Sequence, residues 1–123
     1  MAAVKAGRLM LTEMDEAVAH GESFAFETTL AGVGYRRRIR LWRQCGYHVS
    51  LFFLSLPAVE TAIARVATRV RQGGHDIPEN VIRRRFATGL RNFEAVYKAE
   101  VNDWASYDNA GDAPALLDWS EKP

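Results

Sequence analysis

Two clusters of arginines flank a short turn in the second half of the chain. The arginines are Arg69 and Arg71 before the turn and Arg83, Arg84 and Arg85 after it. Residues 73–78, G-G-H-D-I-P, interrupt an apolar spacing that is helical on both sides. Guanidinium groups bind phosphate oxygens in pairs, and a Gly-Gly hinge allows such a clamp to open and close. Residues 69–85 are therefore predicted to form a phosphate-binding lid; two solvated helix ends joined by a turn are the alternative.

The charge of the chain is concentrated in its middle. The net charge is only +1, but residues 36–91 carry twelve arginines against three acids, a net of +9. Such a segment indicates a polyanionic ligand, either nucleotide phosphates or nucleic acid. The aromatic residues occupy helix-stripe and strand positions and do not alternate with the arginines as a base-stacking platform would, so nucleotide phosphates are favoured.

The length and composition indicate one globular domain over residues 1–123. The chain has 48% hydrophobic and 25% charged residues, as ordinary soluble domains do. The longest apolar run, residues 49–56, is too short to span a bilayer, and no membrane association is expected. One cysteine, Cys45, fits a reducing compartment, so a cytoplasmic protein is predicted. The three histidines, His20, His48 and His75, lie far apart without a cysteine pair, and no metal site is predicted.

Alternating helical and strand patterns predict an α/β fold with a parallel sheet. Helices are predicted over residues 2–20, 35–44, 57–71 and 78–100, and strands over 24–29, 48–56, 104–107 and, as an edge strand, 115–119. The near-continuous apolar run at 48–56 is typical of a central strand covered on both faces. The five arginines within residues 36–43 are predicted to form a solvated outer face of their helix.

Polar residues follow the predicted strands at their carboxyl ends, where ligands of parallel sheets bind. They are Glu27, Thr28 and Thr29 after the first strand, Ser55 after the second, and Asp108 and Asn109 after the third. We expect them to share one rim of the sheet, beside the arginine lid.

Four segments together resemble the zeta-toxin-like P-loop kinases. They are F-A-F-E-T-T-L at 24–30, H-V-S-L-F-F-L-S-L at 48–56, R-V-R-Q-G-G-H-D-I-P-E-N-V-I-R-R-R at 69–85 and Y-D-N at 107–109. The resemblance implies a P-loop kinase-like parallel sheet with flanking helices. Members of this family are often described as predicted ATPases, and better-studied relatives phosphorylate UDP-N-acetylglucosamine.

The resemblance implies roles for the candidate residues. Glu27 would orient the acceptor hydroxyl or the magnesium shell, with Thr28 and Thr29 at the acceptor substrate. Arg69 or Arg71, with one or more of Arg83, Arg84 and Arg85, would grip the phosphates of ATP, and Asp108 and Asn109 would lie near the adenine. His75, in the lid turn, is a further candidate for a phosphate contact. The implied cofactors are ATP and Mg²⁺, and the implied substrate is a small molecule with a sugar-nucleotide-type hydroxyl.

The chain departs from the family pattern at the phosphate loop. No G-x-x-x-x-G-K-[ST] occurs in it, and the family places this motif and an aspartate base before the segments that match here. The expectation is an incomplete kinase sheet without its central phosphate-loop strand, and weak or no activity of the chain alone. The predicted strands 24–29 and 48–56 would then pair directly, accept a strand from a partner, or self-associate. A nucleic-acid-binding module and a non-catalytic protein-interaction remnant are the alternatives.

Overall fold

A computed structural model describes residues 2–120, with side chains described from Gly7 onward. Five α-helices and three strands occur among these residues, and a π-helical turn lies at Phe93–Tyr97. In chain order they are α1 (Ala2–Ala19), α2 (Tyr35–Gln44), β1 (Ser50–Ser55), α3 (Val59–Arg71), α4 (Glu79–Asn92), the π-turn, α5 (Lys98–Glu100), β2 (Asp103–Asp108) and β3 (Ala115–Trp119). No helix within this part of the chain has both the length and the apolar content needed to cross a membrane.

The three strands form one mixed sheet in the order β1-β2-β3. β1 and β2 are parallel, with Ser50 opposite Asp103 and Ser55 opposite Asp108. Their connection runs through α3 and α4, because parallel neighbours require a long crossover. β3 returns antiparallel to β2, with a register shift between Ser106 and Tyr107. The α/β class, the parallel pair and the flanking helices agree with the sequence prediction.

The predicted strand at residues 24–29 is wrong, because this segment has no regular secondary structure and belongs to no sheet. Its alternating aromatic residues pack against helix α2 and the segment after it. The Phe24 ring lies 5.1 Å from Trp42 and 5.7 Å from Tyr47, and the Phe26 ring lies 4.9 Å from Tyr35 (centroid distances). The alternating aromatic residues therefore reflect packing of Phe24 and Phe26 against α2, not hydrogen bonding to a neighbouring strand.

β1 is an edge strand, which corrects the prediction of a central strand covered on both faces. Leu51 and Phe53 pack on the core, whereas Phe52 and Leu54 on the other face are exposed. Among the described residues only β2 pairs with β1, and the other edge of β1 opens onto a cleft. An apolar run alone does not reveal whether a second neighbour is present.

The predicted helix at residues 78–100 is one helical path with a wider turn inside it. The path comprises α4, the π-turn and α5. The π-turn begins and ends with Phe93 and Tyr97, both of which are buried. The Phe93 ring stacks on Phe53 at a centroid distance of 4.4 Å. The buried core cluster is Met14, Leu30, Ile39, Trp42, Phe93, Tyr97 and Val101.

Candidate functional site

A cleft of about 920 Å³ lies between segment 24–30 and strand β1. α4 contributes Ile82, Arg85, Phe86, Gly89 and Leu90 to its lining, and α3 contributes Ala62 and Val66. Most of these side chains are apolar. Its polar lining includes Glu27, Thr28, Thr29, Ser55 and Arg85, so a carboxylate, hydroxyl groups and a guanidinium group share one space.

Three residues on the α4 path hold the segment beside the cleft in place. The Asn92 amide nitrogen donates to the Leu30 carbonyl at 2.7 Å, and the Tyr97 hydroxyl donates to the Gly32 carbonyl at 2.7 Å. Burial raises the pKa of the Tyr97 phenol, which is protonated at neutral pH even at its ordinary value and therefore donates this hydrogen bond. At Gly89, an added Cβ would lie only 2.6 Å from the Thr29 carbonyl oxygen. The helix thus sets the position of residues 27–32.

Sequence reasoning placed Tyr97 on the buried face of its helix but missed its hydrogen bond to Gly32, and it missed Gly89 and Asn92 altogether. The available signals were a glycine and an asparagine inside an otherwise helical pattern. Both residue types have low helix propensity, and nothing nearby in the sequence explains their presence. Their reason is tertiary, because each makes or permits a contact with a segment about sixty residues earlier in the chain.

The three predicted acceptor-side residues lie together at the cleft. Thr28 Oγ1 accepts a hydrogen bond from the Leu30 amide, and Thr29 Oγ1 accepts one from the Ala31 amide, each at 3.3 Å. Both hydroxyl groups therefore help to shape the turn, in which Leu30 has a φ of 56°. Their protons are still available to donate to a ligand. Glu27 is exposed and lines the same cleft.

The lid turn has a conformation that requires its glycines. Gly73 has a φ of +93°, and the Gly74 amide donates to the Arg69 carbonyl at 2.7 Å. A Cβ at Gly74 would lie 2.9 Å from that carbonyl oxygen. The pair therefore ends α3 and reverses the chain toward α4, as the sequence predicted.

The lid arginines have different surroundings. Arg85 lines the cleft, whereas Arg71 donates to Thr68 Oγ1 on its own helix at 3.1 Å. Arg83 lies 3.9 Å from a carboxylate oxygen of Glu60 and 3.7 Å from one of Glu79, which are long distances for ion pairs. The remaining lid candidates, Arg69, Arg84 and His75, have exposed side chains.

Asp108 and Asn109 lie at the expected ends of the strands but do not line the cleft. The Asn109 amide donates to the Ser55 carbonyl at 2.8 Å, and Asp108 Oδ1 accepts from the Ala110 amide at 2.9 Å. Arg65 of α3 donates to the Asn109 carbonyl, a contact that sequence reasoning missed. Of the predicted rim, the structure brings together residues 27–29, Ser55 and Arg85, while Asp108 and Asn109 adjoin Ser55 from outside the cleft.

The arginines of α2 do not form a purely solvated face, which corrects the sequence prediction. Arg36 and Arg40 donate to the Glu100 carboxylate at 2.7–3.0 Å, and Arg43 donates to the Glu100 carbonyl at 3.0 Å. Arg38 binds Asp15 of α1 at 2.9 Å. The Arg40 hydrogen bond, with Arg36 adding to it, lowers the pKa of Glu100 from 4.5 to about 2. Arg36, Arg40 and Arg43 thus join α2 to α5, and Arg38 joins α2 to α1.

This cluster leads to a prediction about acid stability. Glu100→Gln is expected to lower the melting temperature at pH 7 and to flatten its dependence on acid pH. Because the folded-state pKa is lowered, the stabilisation is complete above about pH 4.5 and is lost as the pH falls toward 2. Thermal unfolding between pH 7 and pH 3 measures both effects. The control is Glu94→Gln, at an exposed carboxylate that pairs with Lys98; equal losses in the two variants would contradict the prediction.

Within residues 2–120, no group of three or more histidine, cysteine, aspartate or glutamate side chains is arranged to hold a metal ion. Cys45 is an exposed free thiol. His48 and Asp103 interact at 2.7 Å on the surface, far along the chain from the lid.

A family model described as Zeta toxin matches residues 2–118. The chain belongs to the Zeta toxin family. The mixed α/β architecture, with its parallel pair and flanking helices, is consistent with an incomplete P-loop kinase-like fold, as the four sequence segments indicated.

One curated relative within reach of sequence comparison comes from Haemophilus influenzae (strain ATCC 51907 / DSM 11121 / KW20 / Rd) and is described as an uncharacterized protein. It is 30% identical over 86 residues, which cover 70% of this Zeta toxin family chain and 61% of the relative. The chain therefore matches about three fifths of that relative's length. No solved structure matches the chain significantly.

Proposed function

We propose that this chain supplies the arginine lid and the acceptor-side carboxylate of a phosphoryl-transfer site. The donor would be Mg-ATP, and the acceptor a hydroxyl group of a sugar-nucleotide-type small molecule. The observation that carries the proposal is the shared cleft, since Glu27, Thr28, Thr29 and Arg85 all line it. Family membership supports the same class of chemistry.

The proposed roles follow from charge and position. Arg85 would bind phosphate oxygens from inside the cleft, and the exposed Arg69 and Arg84 would approach as the lid closes about Gly73 and Gly74. Phosphoryl transfer depends mainly on positioning and electrostatic stabilisation, which fixed guanidinium groups supply. Bound Mg²⁺ would neutralise phosphate charge. In proteins Mg²⁺ usually binds one or two carboxylates and completes its coordination with several waters. A single carboxylate, Glu27, is therefore enough to hold it here.

The proposal also predicts low activity for these residues alone. No G-x-x-x-x-G-K-[ST] occurs within the 123 residues, so they do not provide the amide cradle and lysine that bind phosphates in P-loop enzymes. We therefore expect Mg-ATP to bind weakly and turnover to be slow, because positioning carries most of this catalysis.

The net charge of +9 over residues 36–91 made nucleic acid an alternative ligand, but the contacts of the arginines in α2 argue against it. Arg36, Arg38, Arg40 and Arg43 are engaged with Glu100 and Asp15 of the same chain. They hold helices together and are not arranged as a free phosphate-binding stripe. A steep fall of oligonucleotide affinity with rising salt would revive the nucleic-acid alternative.

Mg-ATP titration, monitored by tryptophan fluorescence, tests the proposed function. Arg85→Ala is expected to raise the Kd by about tenfold, because a charge-assisted hydrogen bond contributes about 1.5–3 kcal/mol. Arg91→Ala is the matched control, since Arg91 is an exposed arginine near the end of the same helix and does not line the cleft. We expect that control to change the Kd by less than about twofold.

Two results would contradict the proposal. One is equal weakening by both substitutions, which would indicate general attraction of ATP to a basic surface. The other is no saturable binding of Mg-ATP by the unmodified chain at millimolar concentration.

A further inference from the structure

One leucine beside the cleft has a backbone conformation that leucine rarely adopts. Leu30 has a φ of 56°, in the left-handed region, where its Cβ atom crowds the backbone. Such a conformation costs free energy and persists only where surrounding contacts hold it, and residues of this kind cluster at functional sites. Leu30 directly follows Glu27, Thr28 and Thr29, which are polar residues of the cleft. Its conformation therefore sets the path of the segment that carries them.

Side chains bind both backbone polar groups of Leu30. Its amide donates to Thr28 Oγ1 at 3.3 Å, and its carbonyl accepts a hydrogen bond from the Asn92 side chain at 2.7 Å. Leu30 is 5% exposed and Asn92 is 7% exposed. Loss of the Asn92 bond would leave a buried carbonyl without its partner, which is unfavourable. The bond thus opposes relaxation of Leu30 to an ordinary backbone conformation.

The helix that supplies this bond also carries the guanidinium group of the cleft. Arg85, Gly89 and Asn92 are spaced i, i+4 and i+7, so they lie on one face of α4. Arg85 lines the cleft, whereas Gly89 lies against the Thr29 carbonyl oxygen. Helical residues rise about 1.5 Å each, so Arg85 and Asn92 are about 10 Å apart along the helix axis. One helix therefore sets the spacing between the cleft arginine and the segment that ends at Leu30.

We propose that Asn92, supported by Tyr97, is a positioning residue of the phosphoryl-transfer site. By holding Leu30 in its left-handed conformation, Asn92 keeps the Glu27 carboxylate at a set distance from the Arg85 guanidinium group. Glu27 is exposed, so its side chain is placed by the backbone that carries it. This role rests on the proposed function, which assigns the Mg²⁺ contact to Glu27 and a phosphate contact to Arg85.

The affinity for ATP with and without Mg²⁺ distinguishes the contributions of the two groups. Mg²⁺ cancels part of the negative charge of ATP, so an arginine alone binds metal-free ATP at least as tightly as Mg-ATP. A carboxylate beside the phosphates reverses this order, because it repels metal-free ATP and attracts the bound Mg²⁺. The Kd for metal-free ATP divided by the Kd for Mg-ATP, the Mg²⁺ preference, therefore reports whether Glu27 is in place.

ATP titrations in Mg²⁺ and in EDTA, monitored by tryptophan fluorescence, measure this preference. The unmodified chain is expected to prefer Mg-ATP by about tenfold, a typical contribution of one contact to a charged group. Glu27→Gln is expected to lower the preference to about one or less. Asn92→Leu removes the donor and nearly keeps the side-chain volume. It is expected to lower the preference as far as Glu27→Gln does, while metal-free ATP binds at least as tightly as before, because Arg85 remains.

Asn102→Ala is the matched control for loss of an asparagine that binds the backbone. Asn102 Oδ1 accepts a hydrogen bond from the Val49 amide at 2.7 Å, and Asn102 does not line the cleft. This variant is expected to keep the Mg²⁺ preference of the unmodified chain. An equal fall in both asparagine variants would overturn the proposal, because it would indicate a general loss of structure.

Tyr97→Phe is a second variant that removes one oxygen atom and keeps the buried ring. The Tyr97 hydroxyl donates to the Gly32 carbonyl at 2.7 Å, two residues beyond Leu30. Its removal is expected to lower the Mg²⁺ preference in the same direction and by a smaller factor. Should Asn92→Leu not fold, as near-UV circular dichroism would show, an unchanged preference in Tyr97→Phe would overturn the proposal.

The remaining outcomes also discriminate. A folded Asn92→Leu variant that keeps the Mg²⁺ preference would show that Glu27 is placed without Asn92. Equal weakening of metal-free ATP and Mg-ATP in that variant would likewise contradict a positioning role. Absence of saturable ATP binding by the unmodified chain would instead overturn the proposed function, and this role of Asn92 with it.

Discussion

Gly89→Ala is expected to reduce the free energy of unfolding by about 1–3 kcal/mol, the usual cost of overpacking. Alanine in a helix normally stabilises relative to glycine by roughly 0.5–1 kcal/mol. At Gly89 the sign reverses because the added Cβ would lie 2.6 Å from the Thr29 carbonyl oxygen. Either the segment before α2 moves away from α4 or the helix shifts, and the bonds from Asn92 and Tyr97 then lengthen.

The matched control is the same substitution at a helical glycine with free space. Gly7 lies in α1, and no side-chain or distant backbone atom lies within 4 Å of its Cβ position. Gly7→Ala is expected to increase the free energy of unfolding by about 0.5–1 kcal/mol. Urea unfolding of both variants measures the difference. If both substitutions stabilised the protein, close packing of α4 on residues 28–30 would be wrong.

Phe93→Ala is expected to have the largest effect on stability, a loss of about 3–5 kcal/mol. Phe93 is 1% exposed and lies where the helical path meets the sheet. Its ring stacks on Phe53 of β1 at 4.4 Å and meets the edge of Trp104 of β2 at 5.6 Å. Truncation would leave a cavity beneath both parallel strands, and close packing of the core limits how far the neighbours can close that cavity.

Leu41→Ala is the control for this truncation. Leu41 is an exposed apolar residue of α2, and its removal is expected to change stability by less than about 0.5 kcal/mol. Denaturant unfolding at constant protein concentration compares the two variants, so that self-association does not affect the result. A loss below about 1 kcal/mol for Phe93→Ala would contradict its placement at the centre of the core.

Local sequence patterns predicted the helices and the paired strands near the carboxyl terminus. α2 begins and ends as its apolar spacing and glycine boundaries predicted, and β3 has the predicted bounds. The Gly73–Gly74 turn is likewise where the sequence indicated. These features depend on interactions within a few residues, namely helical periodicity and the backbone freedom of glycine, which a sequence shows directly.

Features that depend on distant contacts were not predictable in the same way. The 24–29 segment has the alternation of a strand. Its aromatic side chains pack against the core as that alternation indicates, but no described strand pairs with its backbone. The arginines of α2 have the spacing of a solvated face, yet Glu100 lies about sixty residues away and draws three of them together. Local spacing contains no information on such partners.

The candidate site was predictable in part. Glu27, Thr28, Thr29 and Ser55 share the cleft with Arg85, as expected, but residues 24–29 form no strand, so the first three are not at a strand end. The expectation was incomplete for Asp108 and Asn109, whose loop is held outside the cleft by Arg65 and Ser55. Which arginine of each cluster faces the cleft depends on helix rotation, and sequence did not distinguish Arg85 from Arg83 or Arg84.

The measurement that most directly tests the central claim is an amide chemical-shift map of the protein titrated with Mg-ATP. The account predicts saturable shifts at residues 27–29, in the lid at 69–76 and at 83–85, with the α2 amides of residues 36–43 unaffected. In the Arg85→Ala variant, the chemical-shift changes at residues 27–29 and those at residues 83–85 are both expected to disappear. Shifts confined to α2 and its surroundings, or scattered over the basic surface without saturation, would contradict a phosphate site in the cleft.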